Sequence, residues 1–131
     1  MKKTGILNQG ISEVIAGMGH GDMLVIGDCG LPIPSGVRRI DLALTHGVPG
    51  FLETLRVILQ ELEVEKAVIA TEMETISPKM LESVKRMMGS VLLEKCTHEE
   101  FKEMNKRAVA VIRTGECTPY ANIILRSGVN F

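Results

Sequence analysis

The amino-acid sequence predicts a single α/β domain over residues 1–131, with a largely parallel central sheet flanked by helices. Three observations predict it. The spacing of apolar residues switches repeatedly between the helical and the strand period along the chain. Glycine, proline and capping residues punctuate those stretches. Apolar side chains make up 45% of the 131 residues, enough to fill one core at a length that suits one domain.

Gly10 to Met18 carries apolar residues at 11, 14, 15 and 18, a helical spacing, with Ser12 or Asn8 as cap and Gly19 as terminator. Met23 to Ile26 is a short buried strand. Pro32 and Pro34 force an extended loop after it. Val37 to Leu44 alternates as a second strand, with Ile40, Leu42 and Leu44 on one side and Asp41 on the other. His46-Gly47-Val48-Pro49-Gly50 is a turn, and Phe51 to Leu62 is an amphipathic helix.

Lys66 to Thr71 is a strand with an Ala-Val-Ile-Ala core. Ser77 and Pro78 supply the N-cap and first turn of a helix that runs to about Met88 and stops at Gly89. Val91 to Leu93 is another short strand. Thr97-His98-Glu99-Glu100 opens a helix with a carboxylate three residues after the threonine. Ala108 to Ile112 and Tyr120 to Leu125 complete the strands. No repeat or linker interrupts the series.

Composition excludes several function classes. A net charge of −1 argues against nucleic acid as the main partner. Aromatic residues are 3% of the chain and tryptophan is absent, which removes a base-stacking platform. No apolar run is long enough to span a bilayer, so no membrane partner is expected. Met1-Lys2-Lys3-Thr4-Gly5 is basic but lacks the apolar stretch of a signal peptide, and a cytoplasmic location is the expectation. Cys29, Cys96 and Cys117 have neither CxxC spacing nor an even count, so neither a disulfide framework nor a zinc site is expected.

The segment from Gly19 to Pro32 concentrates the chemistry. His20 and Asp28 flank the Met23–Ile26 strand, with glycines beside both. Such a segment can present acid–base groups to a pocket. The competing reading makes His20 a helix-end residue that favours the last carbonyls, and Asp28 a turn residue bonded to its own backbone. Asp28 also lies just past the end of a strand, where ligands gather in open α/β sheets. Asp22 reads as a turn or cap residue. Cys29 lacks a neighbouring base and reads as a small buried thiol.

His98 sits in a first helical turn, where a surface histidine is the plainer reading. Arg113 to Asn122 is polar and turn-rich, and ends in Tyr120-Ala121-Asn122. The tyrosine and asparagine side chains both donate and accept hydrogen bonds, as a small polyol requires. A loop capping the sheet would have the same composition. No phosphate-binding glycine loop, HExxH or GxSxG is present, and no spacing demands a metal.

Taken together, these segments resemble the ribose pyranase and fucose mutarotase family, end to end. The resemblance is carried by Lys3-Thr4-Gly5-Ile6-Leu7-Asn8, Gly19-His20-Gly21-Asp22 and Asp28-Cys29-Gly30-Leu31-Pro32-Ile33-Pro34. It continues through Thr97-His98-Glu99-Glu100-Phe101, Arg113-Thr114-Gly115-Glu116 and Thr118-Pro119-Tyr120-Ala121-Asn122-Ile123-Ile124-Leu125. Gly30-Leu31-Pro32 and Tyr120-Ala121-Asn122 side with the ribose branch; the fucose branch typically has His-Phe-Pro and Tyr-Gly-Asn there. Cys29 departs from the family's usual alanine, and Cys117 falls at a variable position.

The resemblance implies a ribose pyranase-like fold and a cofactor-free isomerase that interconverts the β-pyranose and β-furanose forms of D-ribose. It implies that His20 is the catalytic acid, and that Asp28, His98, Tyr120 and Asn122 surround the sugar, with Ala121 contributing through its backbone. It also implies pentameric rings stacked as a decamer, with each site shared between neighbouring subunits. The apolar residues Ile123, Ile124, Leu125, Val129 and Phe131 suit either such an interface or a core strand. Three other functions compete. They are a mutarotase for another sugar such as L-fucose, a non-catalytic sugar-binding accessory to transport, and a nucleotide-binding domain, which the missing phosphate loop disfavours.

Overall fold

A computed structural model describes residues 1–131 and contains five helices and six strands. Helix α1 (Gln9–Gly17) starts at Asn8, whose side chain accepts the Ile11 N–H at 2.9 Å, so Asn8 rather than Ser12 is the cap. Strand β1 (Met23–Gly27) is buried from Leu24 onward. Strand β2 (Arg38–Asp41) is shorter than its sequence pattern suggests, and only Ile40 in it is buried. The ladder ends because the Ala43 N–H turns back to the Asp41 carboxylate and the Leu44 N–H bonds the Val48 carbonyl. Leu44 is left exposed.

Helix α2 (Phe51–Ile58) gives way to turn bonds from Gln60 and Glu61 before it reaches Leu62. Strand β3 (Val64–Ala70) is followed by a short helix α3 (Glu72–Ile76), which no apolar period announces. Helix α4 (Pro78–Met88) has Pro78 in its first turn. Its preceding Ser77 does not cap it; the Ser77 hydroxyl donates to the Pro119 carbonyl at 2.7 Å instead.

Strand β4 (Leu92–Cys96) leads to helix α5 (His98–Asn105), where Thr97 and Glu100 form a capping box. Strands β5 (Ala110–Arg113) and β6 (Ile123–Ser127) complete the chain. The latter begins three residues later than its sequence pattern suggests. Tyr120 has φ of 61°, a left-handed conformation that extended backbone excludes.

The sheet order is β2-β5-β1-β6-β3-β4. Every neighbouring pair is parallel except those of β6, which lies between β1 and β3 and runs antiparallel to both. The start of β6 therefore lies at the carboxyl ends of its two neighbours. This one reversed strand places the residues just before Ile123 beside the residues just after Gly27.

Strand alternation fills both faces of the sheet. Leu24, Ile26, Ile112, Ile123 and Leu125 pack with Phe51, Leu55, Ile58, Leu81 and Val84 in the larger core. Val25, Val68, Val111 and Ile124 point the other way and pack against Phe101 of α5 and Leu31. Ile123, Ile124 and Leu125 are thus core residues, whereas Val129 and Phe131 are exposed. No helix is long and apolar enough to cross a membrane.

Candidate active site

The carboxyl-end edge of the sheet gathers Asp28, His98, Tyr120, Ala121 and Asn122. Asp28 follows β1. Its backbone N–H donates to Asn122 Oδ1 at 2.8 Å, and Asn122 Nδ2 donates to Asp28 Oδ2 at 3.0 Å. The other carboxylate oxygen, Oδ1, accepts the Gly30 N–H at 2.9 Å. Asp28 is therefore both the turn aspartate that Gly30 implies and a member of a polar cluster. Gly27 permits this packing. A Cβ there would lie 2.6 Å from Leu31 Cδ2 and 3.1 Å from Asn122 Oδ1.

His98 opens α5, just beyond β4. Its backbone N–H donates to both carboxylate oxygens of Glu72, at 3.0 and 3.2 Å. Burial pushes the Glu72 carboxyl up, but the N–H groups of Glu72 and His98 and the Thr71 hydroxyl outweigh it and hold it below its ordinary value. The His98 ring meets Tyr120 edge-on, with centroids 5.0 Å apart, and stacks on Phe101 at 6.2 Å. Its Nδ1 is buried and has no hydrogen-bond partner within the chain. Such an orphaned atom calls for an explanation, and a ligand hydroxyl is one.

The loop from Arg113 to Pro119 aims Tyr120. Glu116 is its organising residue. Its Oε2 accepts the Phe51 N–H at 3.0 Å, and its Oε1 accepts the Thr118 hydroxyl at 2.7 Å and the Thr118 N–H at 3.2 Å. Burial raises the Glu116 carboxyl, yet these donors prevail and hold it low. Thr114 donates to the Gly27 carbonyl at 2.7 Å, and Arg113 donates to the Cys29 carbonyl at 3.1 Å and pairs with Asp41. At Gly115 a Cβ would overlap the carbonyl oxygens of Thr45 and Val48.

His20 is elsewhere. It lies in the turn before β1, at the opposite end of the strand from Asp28. Five residues at about 3.3 Å each put at least about 13 Å between the two ends. Within one chain His20 cannot touch Asp28, His98, Tyr120 or Asn122. Its side chain is exposed, and its Nε2 lies 2.8 Å from Glu65 Oε2. Glu65 also pairs with Arg126 at 3.1 Å. Hydrogen bonding to His20, reinforced by the charge of Arg126, keeps the Glu65 carboxyl below its ordinary value.

The turn that carries His20 is held to the end of β6. Ser127 donates to the Gly19 carbonyl and accepts nothing from His20 itself, while the Gly21 N–H donates to the Ser127 carbonyl. His20 opens into a cleft of about 280 Å³ whose walls include Glu61, Ser127, Asn130 and Phe131. Asp22, the other acid of the segment, accepts the Gly19 N–H at 2.8 Å and is the turn residue its position suggests.

Sequence reasoning did not single out Glu65 or Glu72, read Ser77 only as a helix cap, and met Glu116 only as the last residue of a motif. Each acts across 26 to 65 residues on a group in another element. No local pattern marks such a partner. Cys29 is only half-buried, contrary to its sequence reading, and faces Cys117 across the 28–31 and 114–119 loops. No three His, Cys, Asp or Glu side chains converge as metal ligands would.

Comparison with known proteins adds to this geometry. The model of the RbsD / FucU transport protein family matches residues 1–130. Two proteins named D-ribose pyranase, from Symbiobacterium thermophilum and Geobacillus thermodenitrificans, are 60% and 57% identical to it; all of this chain and 100% and 99% of theirs align. The structure of Bacillus subtilis RbsD complexed with D-ribose superposes with a TM-score of 0.98 at 46% identity over 100% of both chains. A fucose mutarotase from Streptococcus pneumoniae, in complex with L-fucose, superposes with a TM-score of 0.81 at 25% identity over 95% of each chain.

Proposed function

The chain belongs to the RbsD / FucU transport protein family, and from that premise we propose that it is a D-ribose pyranase. It interconverts the β-pyranose and β-furanose forms of D-ribose without a cofactor. The observation that carries the reading is the cluster at the carboxyl end of the sheet, set on a backbone that matches a D-ribose complex along its whole length. Asp28 and Asn122 form a rigid polar pair, Tyr120 offers a hydroxyl, and His98 holds an unpartnered ring nitrogen. A pentose with several hydroxyls has the complementary donors and acceptors.

The chemistry follows from the sugar. Opening the pyranose removes a proton from the anomeric hydroxyl and delivers one to the ring oxygen. Closing through the other hydroxyl reverses the transfers. The C1–O bond to the ring oxygen breaks and a C1–O bond to the other hydroxyl forms; the protein exchanges only protons with the sugar, and a positioned acid contributes roughly 10²–10⁴ in rate. We assign that role to His20. Asp28, His98, Tyr120, the Ala121 backbone and Asn122 hold the hydroxyls so that the open chain closes in the new register.

His20 reaches the sugar from a neighbouring subunit. The separation of His20 from the cluster supports a shared site. The exposed Val129 and Phe131 supply apolar surface beside the His20 cleft. We place the chain in pentameric rings stacked as a decamer, in the cytoplasm. The test is NMR saturation transfer between the pyranose and furanose anomeric protons of D-ribose. Exchange that rises with the protein and collapses in His20→Ala supports the reading. No enhancement with D-ribose, but enhancement with L-fucose, makes the protein a mutarotase for the other sugar. Binding without exchange leaves a sugar-binding accessory.

A further inference from the structure

We propose that Cys29 and Cys117 form a dithiol modification site that closes to an intrachain disulfide by exchange with a low-molecular-weight disulfide, and that closure slows the ribose site. The two sulfurs lie 3.6 Å apart, although 88 residues separate them in sequence. The backbone sets this approach, because the Cys29 N–H donates to the Glu116 carbonyl at 2.8 Å and so lays residue 29 against the 116–117 peptide. A disulfide needs about 2.05 Å, so the sulfurs move together by about 1.5 Å.

The two thiols differ in a way that orders the reaction. Cys117 is exposed and Cys29 is half-buried behind it. The hydrogen bond to Cys117, with burial second, keeps the Cys29 thiol above its ordinary value. The Cys117 thiolate attacks one sulfur of the small disulfide, breaks its S–S bond and releases one thiolate. Cys29 then loses its proton to solvent and attacks Cys117 Sγ, and a second small thiolate leaves. Two protein thiols are oxidised and one small disulfide is reduced to two thiols. Cys96 ends β4, three places from β1 in the sheet order, and pairs with neither thiol, so peptide mapping should find it outside the link.

The site is joined to the sugar-binding cluster on both arms. Cys29 follows Asp28 directly, and Cys117 precedes Tyr120 by three residues. Drawing the sulfurs together draws these two loops together. A shift of about 1 Å at positioning residues can cost about 10²-fold in rate. This consequence for turnover rests on the ribose reading above; the chemistry of the two thiols does not.

The experiment treats the intact assembly with oxidised glutathione and reads intact mass, peptide mapping and ribose exchange. Wild type should lose two hydrogens, show a Cys29–Cys117 link and lose ribose exchange that dithiothreitol restores. Cys29→Ala should instead retain a glutathione adduct on Cys117 and match the reduced wild type in exchange before treatment. A wild type that keeps the adduct as Cys29→Ala does, or that forms only links between chains, overturns the site. A disulfide that leaves ribose exchange unchanged overturns the coupling. Absence of exchange in the reduced wild type overturns the ribose reading instead, and the mass and mapping results still decide the disulfide.

Discussion

Asp28 and Asn122 grip each other through two hydrogen bonds, at 2.8 and 3.0 Å, across 94 residues of sequence. The asparagine amide spends one end on a backbone N–H and the other on a carboxylate. That arrangement fixes which way the amide faces. Asn122 is buried, so the pair is both an element of the candidate site and part of the packing between β1 and β6.

Replacing Asn122 should therefore hurt folding and sugar binding together. Asn122→Ala leaves the Asp28 N–H and one carboxylate oxygen without their partners, at a cost of about 1–3 kcal/mol. Asn122→Asp keeps the shape but faces one carboxylate with another, and should be the worse of the two near neutral pH. Urea unfolding at pH 7 checks the order. A stability in Asn122→Asp equal to wild type would show that the pair contributes nothing.

The separation of His20 from the cluster predicts complementation between inactive variants. His20→Ala and Asn122→Ala should each lack ribose exchange as homo-oligomers. Random mixed assemblies at equal amounts should regain roughly a quarter of the wild-type sites, because each site then draws its two halves from different chains. Saturation transfer on co-refolded mixtures measures this. Mixtures as inactive as their parents would overturn the shared site.

Glu116 ties acid sensitivity to the loop that aims Tyr120. Its carboxyl sits below its ordinary value of 4.5 in the folded protein. A carboxyl depressed on folding stabilises the native state above its unfolded pKa, and that contribution is lost as pH falls through the folded pKa. Wild type should thus lose stability on acidification below about pH 4.5 more steeply than Glu116→Gln does. Thermal unfolding of both proteins from pH 7 down to pH 3 gives the comparison. Parallel curves would remove Glu116 from the acid response.

Gly115 should tolerate no side chain. The overlap falls on the backbone carbonyls of Thr45 and Val48, which cannot swing aside as a side-chain end would. Gly115→Ala should cost about 1–3 kcal/mol. It should also raise the KM for ribose, because the same loop carries Tyr120. Calorimetry and ribose titration report the two effects. A melting temperature unchanged from wild type would mean the 45–48 turn yields freely.

The sequence by itself determined much of this protein. Apolar spacing located most helices and strands, as in Phe51 and Leu55 on one side of α2 and the alternation through Leu24, Val25 and Ile26. Thr97 and Glu100 announced the start of α5, because a capping box is a local arrangement of neighbouring groups. The motifs around His20, Asp28 and Tyr120-Ala121-Asn122 named candidate residues, of which the structure brings Asp28, Tyr120, Ala121 and Asn122 together. Only the tertiary structure decided how those residues are arranged. Period fixes which face of a strand is buried but not which strand lies beside it, so nothing local revealed that β6 runs antiparallel between β1 and β3. That choice brings Asn122 to Asp28 and leaves His20 at the far end of the same strand. Pairing of distant strands depends on packing summed over the whole core, and no short stretch of sequence holds that sum.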